Sequence, residues 1–158
     1  CLFIFVNYIY ILLASMSLLK RVALVTGSTS GIGLGVARSM AKQGADVVLN
    51  GFGDAAEIKA LTSSMMKEYN INVSYEAADL SKPEEIEKMY ENIARDHGKV
   101  DILVNNAGIQ HVCPVDKFPV EKWNAVININ LNAVFHTTRL ALPQMKEQNW
   151  GRIINIAS

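Results

Sequence analysis

The stretch with the clearest chemistry in the chain is Thr26-Gly27-Ser28-Thr29-Ser30-Gly31-Ile32-Gly33. It follows a short β-rich apolar run and opens a helical pattern. Glycines at these positions permit a tight turn and let the backbone approach a pyrophosphate. The helix behind them offers free N–H groups and the positive end of its dipole. The spacing is TGxxxGxG rather than GxGxxG, because the sixth position counted from Gly31 is Val36. At this point an ordinary glycine turn between strand and helix stays open as the alternative. The other reactive residue types are scattered. His97 closes an amphipathic helix, where it complements the C-terminal charge or packs. His136 lies in a long helical region and reads as structural or close to an oligomer interface. His111 sits in a loop beside Gln110. Cys113 has no neighbouring thiol or histidine pair, so no metal site is expected. Met65 and Met66 read as packing.

Positioning these residues takes alternating elements. Short apolar runs at 22–26, 45–50, 71–77, 100–105 and 152–157 read as strands, and VALV, VVL, ILV and IINI are continuous, as buried parallel strands are. Helical periodicity covers 32–43, 55–69 and a segment starting at Ser81-Lys82-Pro83-Glu84. That segment reads as a capping box with proline in the first turn. A long helical region spans about 121–147, with Pro143 predicting a kink. Five strands alternating with helices predict an α/β fold, a Rossmann-type doubly wound parallel sheet truncated after the fifth strand. In such sheets ligands bind outside the carboxyl ends of the strands.

The 158 residues suffice for one domain, and 15 basic and 15 acidic residues give a formal net charge of zero. That argues against an electrostatic nucleic-acid binder. With only Cys1 and Cys113 there is no disulfide framework and no CxxC pair. The apolar residues are uneven: 13 of residues 1–15 are apolar, all but Asn7 and Ser15. By length, residues 1–19 are long enough to be a candidate membrane span. The chain starts with Cys1, Met16 opens a natural beginning, and the first strand follows almost directly. The expectation is therefore that residues 1–15 are an apolar leader outside the functional protein, with a membrane anchor as the alternative.

These residues resemble the short-chain dehydrogenase/reductase family over about 18–158. The family motif TGxxxGIG is complete at Thr26–Gly33, and NNAG is present as Asn105-Asn106-Ala107-Gly108 after the fourth strand. The resemblance implies cofactor contacts from Thr26, Gly27, Ser28, Thr29, Gly31, Ile32 and Gly33, and from Phe52 after the second strand. It places Asp79-Leu80 against the adenine and assigns Asn106, Ala107 and Gly108 to the same cofactor. Asn130 looks like the active-site asparagine that holds a proton-relaying water. Ser158 looks like the catalytic serine that orients the substrate oxygen. Within the family, VVLNGFGD, NNAGIQHV, FHTTRLALPQMK and NWGRIINIAS are most similar to the bacterial-type D-3-hydroxybutyrate dehydrogenases. There the glutamine after NNAG helps hold the substrate carboxylate, which makes Gln110 a substrate residue and His111 a second candidate for that pocket.

The resemblance implies hydride transfer between 3-hydroxybutyrate and a nicotinamide, with a lysine-assisted tyrosine as general base. The family's YxxxK follows about a dozen residues after the serine, and the sequence in hand ends on Ser158. None of Tyr8, Tyr10, Tyr69, Tyr75 and Tyr90 has a lysine four positions on. The resemblance thus implies that residues 16–158 are the N-terminal part of a single NAD-binding Rossmann domain of a cytoplasmic protein, and residues 1–158 alone are expected to be inactive. NAD is expected over NADP, because the region Asn50–Asp54 and Ser28-Thr29-Ser30 offer no basic partner for a 2′-phosphate. The partners implied are a small 3-hydroxy acid and, for the complete protein, a second copy in a homo-oligomer. Alternatives are a 3-oxoacyl thioester or sugar reductase, and a non-catalytic nucleotide-binding module.

Overall fold

The computed structural model describes residues 17–157. The leader 1–15 and Ser158 lie outside the described residues. In chain order the elements are β1 (Val22–Val25), α1 (Gly31–Lys42), β2 (Asp46–Asn50), α2 (Ala55–Tyr69), β3 (Val73–Glu76) and α3 (Pro83–His97). There follow β4 (Ile102–Asn105), a 3₁₀ turn (Val115–Lys117), α4 (Val120–Ile127), a π turn (Asn128–Asn132), α5 (Ala133–Glu147) and β5 (Arg152–Asn155). The strands form a parallel sheet in the order β3-β2-β1-β4-β5. The chain first winds outward from β1 to β3, then returns across β1 to β4 and β5. The strand order therefore switches at β1/β4, and a crevice opens there at the carboxyl ends.

Alternate residues of the strands feed two apolar layers. Leu24, Val48 and Leu103 face α3 and α5, where Ile86, Met89, Ile93 and Met145 close over them. Ala23, Val25, Val47, Leu49 and Val104 face α1 and α2, packing on Ala37, Ala41 and Met65. The three inner strands are buried on both faces, which is why they read as unbroken apolar runs rather than alternating ones. Among the described residues no helix is long and apolar enough to cross a membrane.

One local expectation is corrected. The sequence predicts a capping box at Ser81, but the residue flanking α3 is Lys82, with Pro83 in the first turn. Ser81 instead donates its N–H (2.9 Å) and Oγ (2.8 Å) to Asp79 Oδ1. Asp79 outcompetes the helix for the serine because an aspartate two residues upstream closes a tighter local turn. Helix α5 continues unbroken past Pro143. Pro143 and Arg139, whose carbonyl it deprives of its usual helical partner, are both exposed residues. The irregularity lies earlier, in the π turn at Asn128–Asn132. His97 packs as a structural residue: its Nε2 is 2.8 Å from Ser74 Oγ on β3.

Candidate functional site

The loop after β1 is held by polar side chains turned away from the crevice. Thr26 is buried, and its Oγ1 accepts from the N–H groups of Asn106 (2.9 Å) and Ala107 (3.0 Å). In return Asn106 Nδ2 donates to the carbonyls of Thr26 (2.9 Å) and Gly27 (3.0 Å). Ser28, fully buried, donates to Val25 O at 2.6 Å and accepts from Asn50 N at 3.1 Å. Asn50 Nδ2 in turn donates to the carbonyls of Glu76 (3.1 Å) and Ala78 (3.0 Å). The loops after β1, β2, β3 and β4 are thus cross-braced into one rim. Thr26 and Ser28, which the motif groups with the cofactor contacts, sit behind that rim as braces.

The glycines explain how closely the loops approach. Gly27 has φ +60°, and a Cβ there would stand 2.9 Å from Ala107 Cα. A Cβ on Gly33 would collide with the Gly27 carbonyl and the Asn106 amide. Gly31 differs: at φ +57° its Cβ direction meets nothing within 4 Å among the described residues. Its side of the loop is open, with backbone bare where a ligand can approach. The first turn of α1 carries no acidic residue, and among the described residues no side chain caps it. Its leading N–H groups and positive dipole end are left for an anion. The residues present therefore fit the diphosphate of a dinucleotide.

Two connected clefts flank this point. The first, of about 270 Å³, runs between the loops after β1, β2 and β3 and is lined by Thr29, Ser30, Phe52, Asp79, Leu80 and Ala107 among others. The second, of about 520 Å³, is walled by Ile32, Gly108, Gln110, Asn130, Ile156 and Ala157 among others. Asn106 through Ile109 belong to both. Phe52 stands exposed on the rim of the first, and Thr29 Oγ1 donates to its carbonyl at 2.9 Å. Tyr75 donates to Gly51 O at 2.6 Å, and burial raises its phenol above the ordinary value. Asp54 does not reach the cleft, because its carboxylate caps α2 by accepting from Ala56 N (2.9 Å) and Glu57 N (3.1 Å). Among the described residues no lysine or arginine lines the first cleft. The Ser81 hydrogen bonds hold the Asp79 carboxyl below the usual aspartate range.

The π turn sets Asn130. Its Oδ1 accepts from Ile109 N and its Nδ2 donates to Ile109 O, both at 2.9 Å. One side-chain amide thus clamps both backbone groups of the residue before Gln110. Gln110 is exposed at the second cleft. His111 is not among the lining residues of either cleft; it stacks edge-on against Phe118 with ring centroids 5.1 Å apart. Sequence reasoning missed Asn50 as the brace of three loops. The signal available was a polar residue ending the apolar run VVLN. It also missed Glu85, whose Oε2 accepts from Asp79 N at 2.8 Å.

A doubly wound parallel sheet with an open helix N-terminus at its switch point is the architecture of a dinucleotide-binding domain. A family model described as short chain dehydrogenase matches residues 21–158, and the chain belongs to the short-chain dehydrogenase/reductase family. It is 57% identical over 138 residues to a D-beta-hydroxybutyrate dehydrogenase of Cupriavidus necator, covering 87% of this chain and 53% of that protein. To a D-beta-hydroxybutyrate dehydrogenase of Rhizobium meliloti it is 50% identical over 140 residues, covering 89% and 54%. The crystal structure of a metagenomic short-chain oxidoreductase in complex with NADP superimposes with a TM-score of 0.83 at 34% identity, over 90% of this chain and 64% of that one. The chain spans about half the length of the curated relatives it matches.

Proposed function

We propose that this chain supplies the cofactor-binding part of an oxidoreductase that interconverts D-3-hydroxybutyrate and acetoacetate with NAD. The observation that carries the reading is the Asn130–Ile109 clamp. It holds the backbone of Ile109, and the next residue, Gln110, lines the second cleft with Ile32 of α1. Both relatives named above are described as acting on beta-hydroxybutyrate. In this reading the first turn of α1 holds the diphosphate through its N–H groups. Asp79 and Leu80 take the adenine end, and Asn106 to Gly108 form the wall between the two clefts. Gln110 Nε2 donates to the carboxylate of a small acid. Asn130 keeps the Ile109 backbone before Gln110 in place, and Ser158 is the proposed partner of the substrate oxygen. The bound nicotinamide supplies the hydride acceptor.

The solved neighbour in complex with NADP weighs against NAD. The absence, among the described residues, of any basic residue on the first cleft, with Asp54 committed to α2, weighs for it. Steady-state kinetics of the full-length protein decide both points. The expected result is a higher kcat/KM for D-3-hydroxybutyrate than for keto-gluconates, sugars or 3-oxoacyl thioesters, and a higher value with NAD than with NADP. A clear preference for a sugar substrate, or for NADP, overturns the corresponding part of the proposal.

A further inference from the structure

We propose that Glu85 is a positioning residue for recognition of the cofactor's base, acting through Asp79. The inference rests on the reading of the first cleft as a dinucleotide site. Asp79 faces that cleft with Leu80 and Ala78. Its position is set from outside the cleft, by the first turn of α3. Glu85 Oε2 accepts from Asp79 N at 2.8 Å, while Glu85 Oε1 accepts from Lys82 Nζ at 2.7 Å. Asp79 Oδ1 takes both hydrogen bonds from Ser81, and Lys82 N donates to Asp79 O at 3.0 Å. Main chain and side chain of Asp79 are therefore held by different partners. Its second oxygen, Oδ2, lies 3.7 Å from Lys82 Nζ. Lys82 sits between the two carboxylates and offsets their repulsion, which lets Glu85 stay close enough to hold the Asp79 N–H.

The chemical consequence is selective. A carboxylate only accepts hydrogen bonds, so one fixed at the base end favours a base presenting an exocyclic amine over one presenting a carbonyl. The selectivity depends on the carboxylate holding its aim, since an acceptor free to swing away avoids the unfavourable contact. Without the Glu85 side chain, Asp79 N loses its partner and the 79–82 turn keeps only its backbone tie to α3, where Lys82 O accepts from Glu85 N and Ile86 N. The aim of the carboxylate then relaxes, although Asp79 itself remains.

The test compares two dinucleotides on the full-length protein, NADH and its reduced hypoxanthine analogue, with Kd read by fluorescence titration and Tm recorded for each variant. Wild type is expected to prefer the adenine form. Glu85→Ala is expected to narrow that preference about fivefold, the scale of one hydrogen bond, chiefly by weakening NADH. Glu85→Gln keeps an acceptor oxygen and is expected to keep most of the preference. Ser81→Ala, which removes the hydroxyl bond to Asp79 Oδ1 and leaves the Ser81 N–H bond and α3 untouched, is expected to narrow it in the same direction as Glu85→Ala. It carries the comparison if Glu85→Ala does not fold. An equal loss for both dinucleotides, or an unchanged preference in Glu85→Ala and Ser81→Ala, overturns the positioning role. Failure of wild type to bind either dinucleotide overturns the dinucleotide reading of the cleft itself.

Discussion

Replacing Thr26 with valine removes one oxygen at constant shape, and the structure says what that oxygen does. Thr26 Oγ1 accepts from Asn106 N and Ala107 N and donates to Val104 O. Val104 O also accepts from Thr26 N at 3.0 Å, so it keeps a partner in the variant. The loss is confined to two donors, both on half-buried residues. A buried donor left without a partner costs about 1–3 kcal/mol; partial water access puts each near the lower end, for a total of about 2–3 kcal/mol. With a urea m-value near 2 kcal/mol/M, the unfolding midpoint of the full-length protein should fall by about 1–1.5 M with m unchanged. Thr26→Ser keeps the oxygen and loses a methyl, for about 0.8 kcal/mol. The two variants therefore rank opposite to their apolar content. A valine variant whose midpoint lies within about 0.3 M of wild type would refute the bracing role.

Asn130→Ala should free the Ile109 backbone and cut kcat/KM for the acid substrate by about tenfold or more, with a smaller change in the Kd for dinucleotide; a Kd change as large as the kcat/KM loss speaks against the clamp. Phe52→Arg puts a guanidinium on the rim of the first cleft and should shift the NADP-to-NAD ratio of kcat/KM upward by about tenfold, measured at constant ionic strength. Tyr90→Phe removes a buried hydroxyl that donates to Thr137 O at 2.8 Å, and denaturant titration should show a loss of about 1–2 kcal/mol. The folded-state pKa of Asp79 lies below its unfolded value, so its contribution to stability is present above about pH 4 and lost as pH falls through the folded pKa. Asp79→Asn should accordingly flatten stability against pH on that acid limb, and an unchanged limb contradicts the assignment.

The layers of the fold are legible in the sequence because burial on both sheet faces leaves no choice of residue type. Val22–Val25 is apolar throughout and Ile102–Asn105 at every position but the last, and a parallel sheet is the architecture that asks for this. What the sequence obscures is settled by partners far along the chain or by local rivals. A helical period runs through residues 121–147 whether or not one turn widens, so the π turn leaves no mark on it. Asn130 is fixed by Ile109, 21 residues away. Ser81 has the right neighbours for a capping box and a better partner in Asp79.

The glycine motif shows the same limit at the site itself. TGxxxGIG and NNAG look like two separate ligand-binding strings, yet Thr26 and Asn106 are 80 residues apart and satisfy each other. The space that a Cβ on Gly33 would fill is already taken by the Gly27 carbonyl and the Asn106 side chain. Gly27 and Gly33 are therefore required by protein–protein contact, whereas Gly31 stands over open space with a positive φ. Substituting Gly33 should act first on folding and Gly31 first on dinucleotide affinity, although the two positions are two residues apart in one motif. Spacing identifies where a diphosphate can sit. Which members of the motif touch it and which hold the others in place follows only from how the β1 and β4 loops interlock.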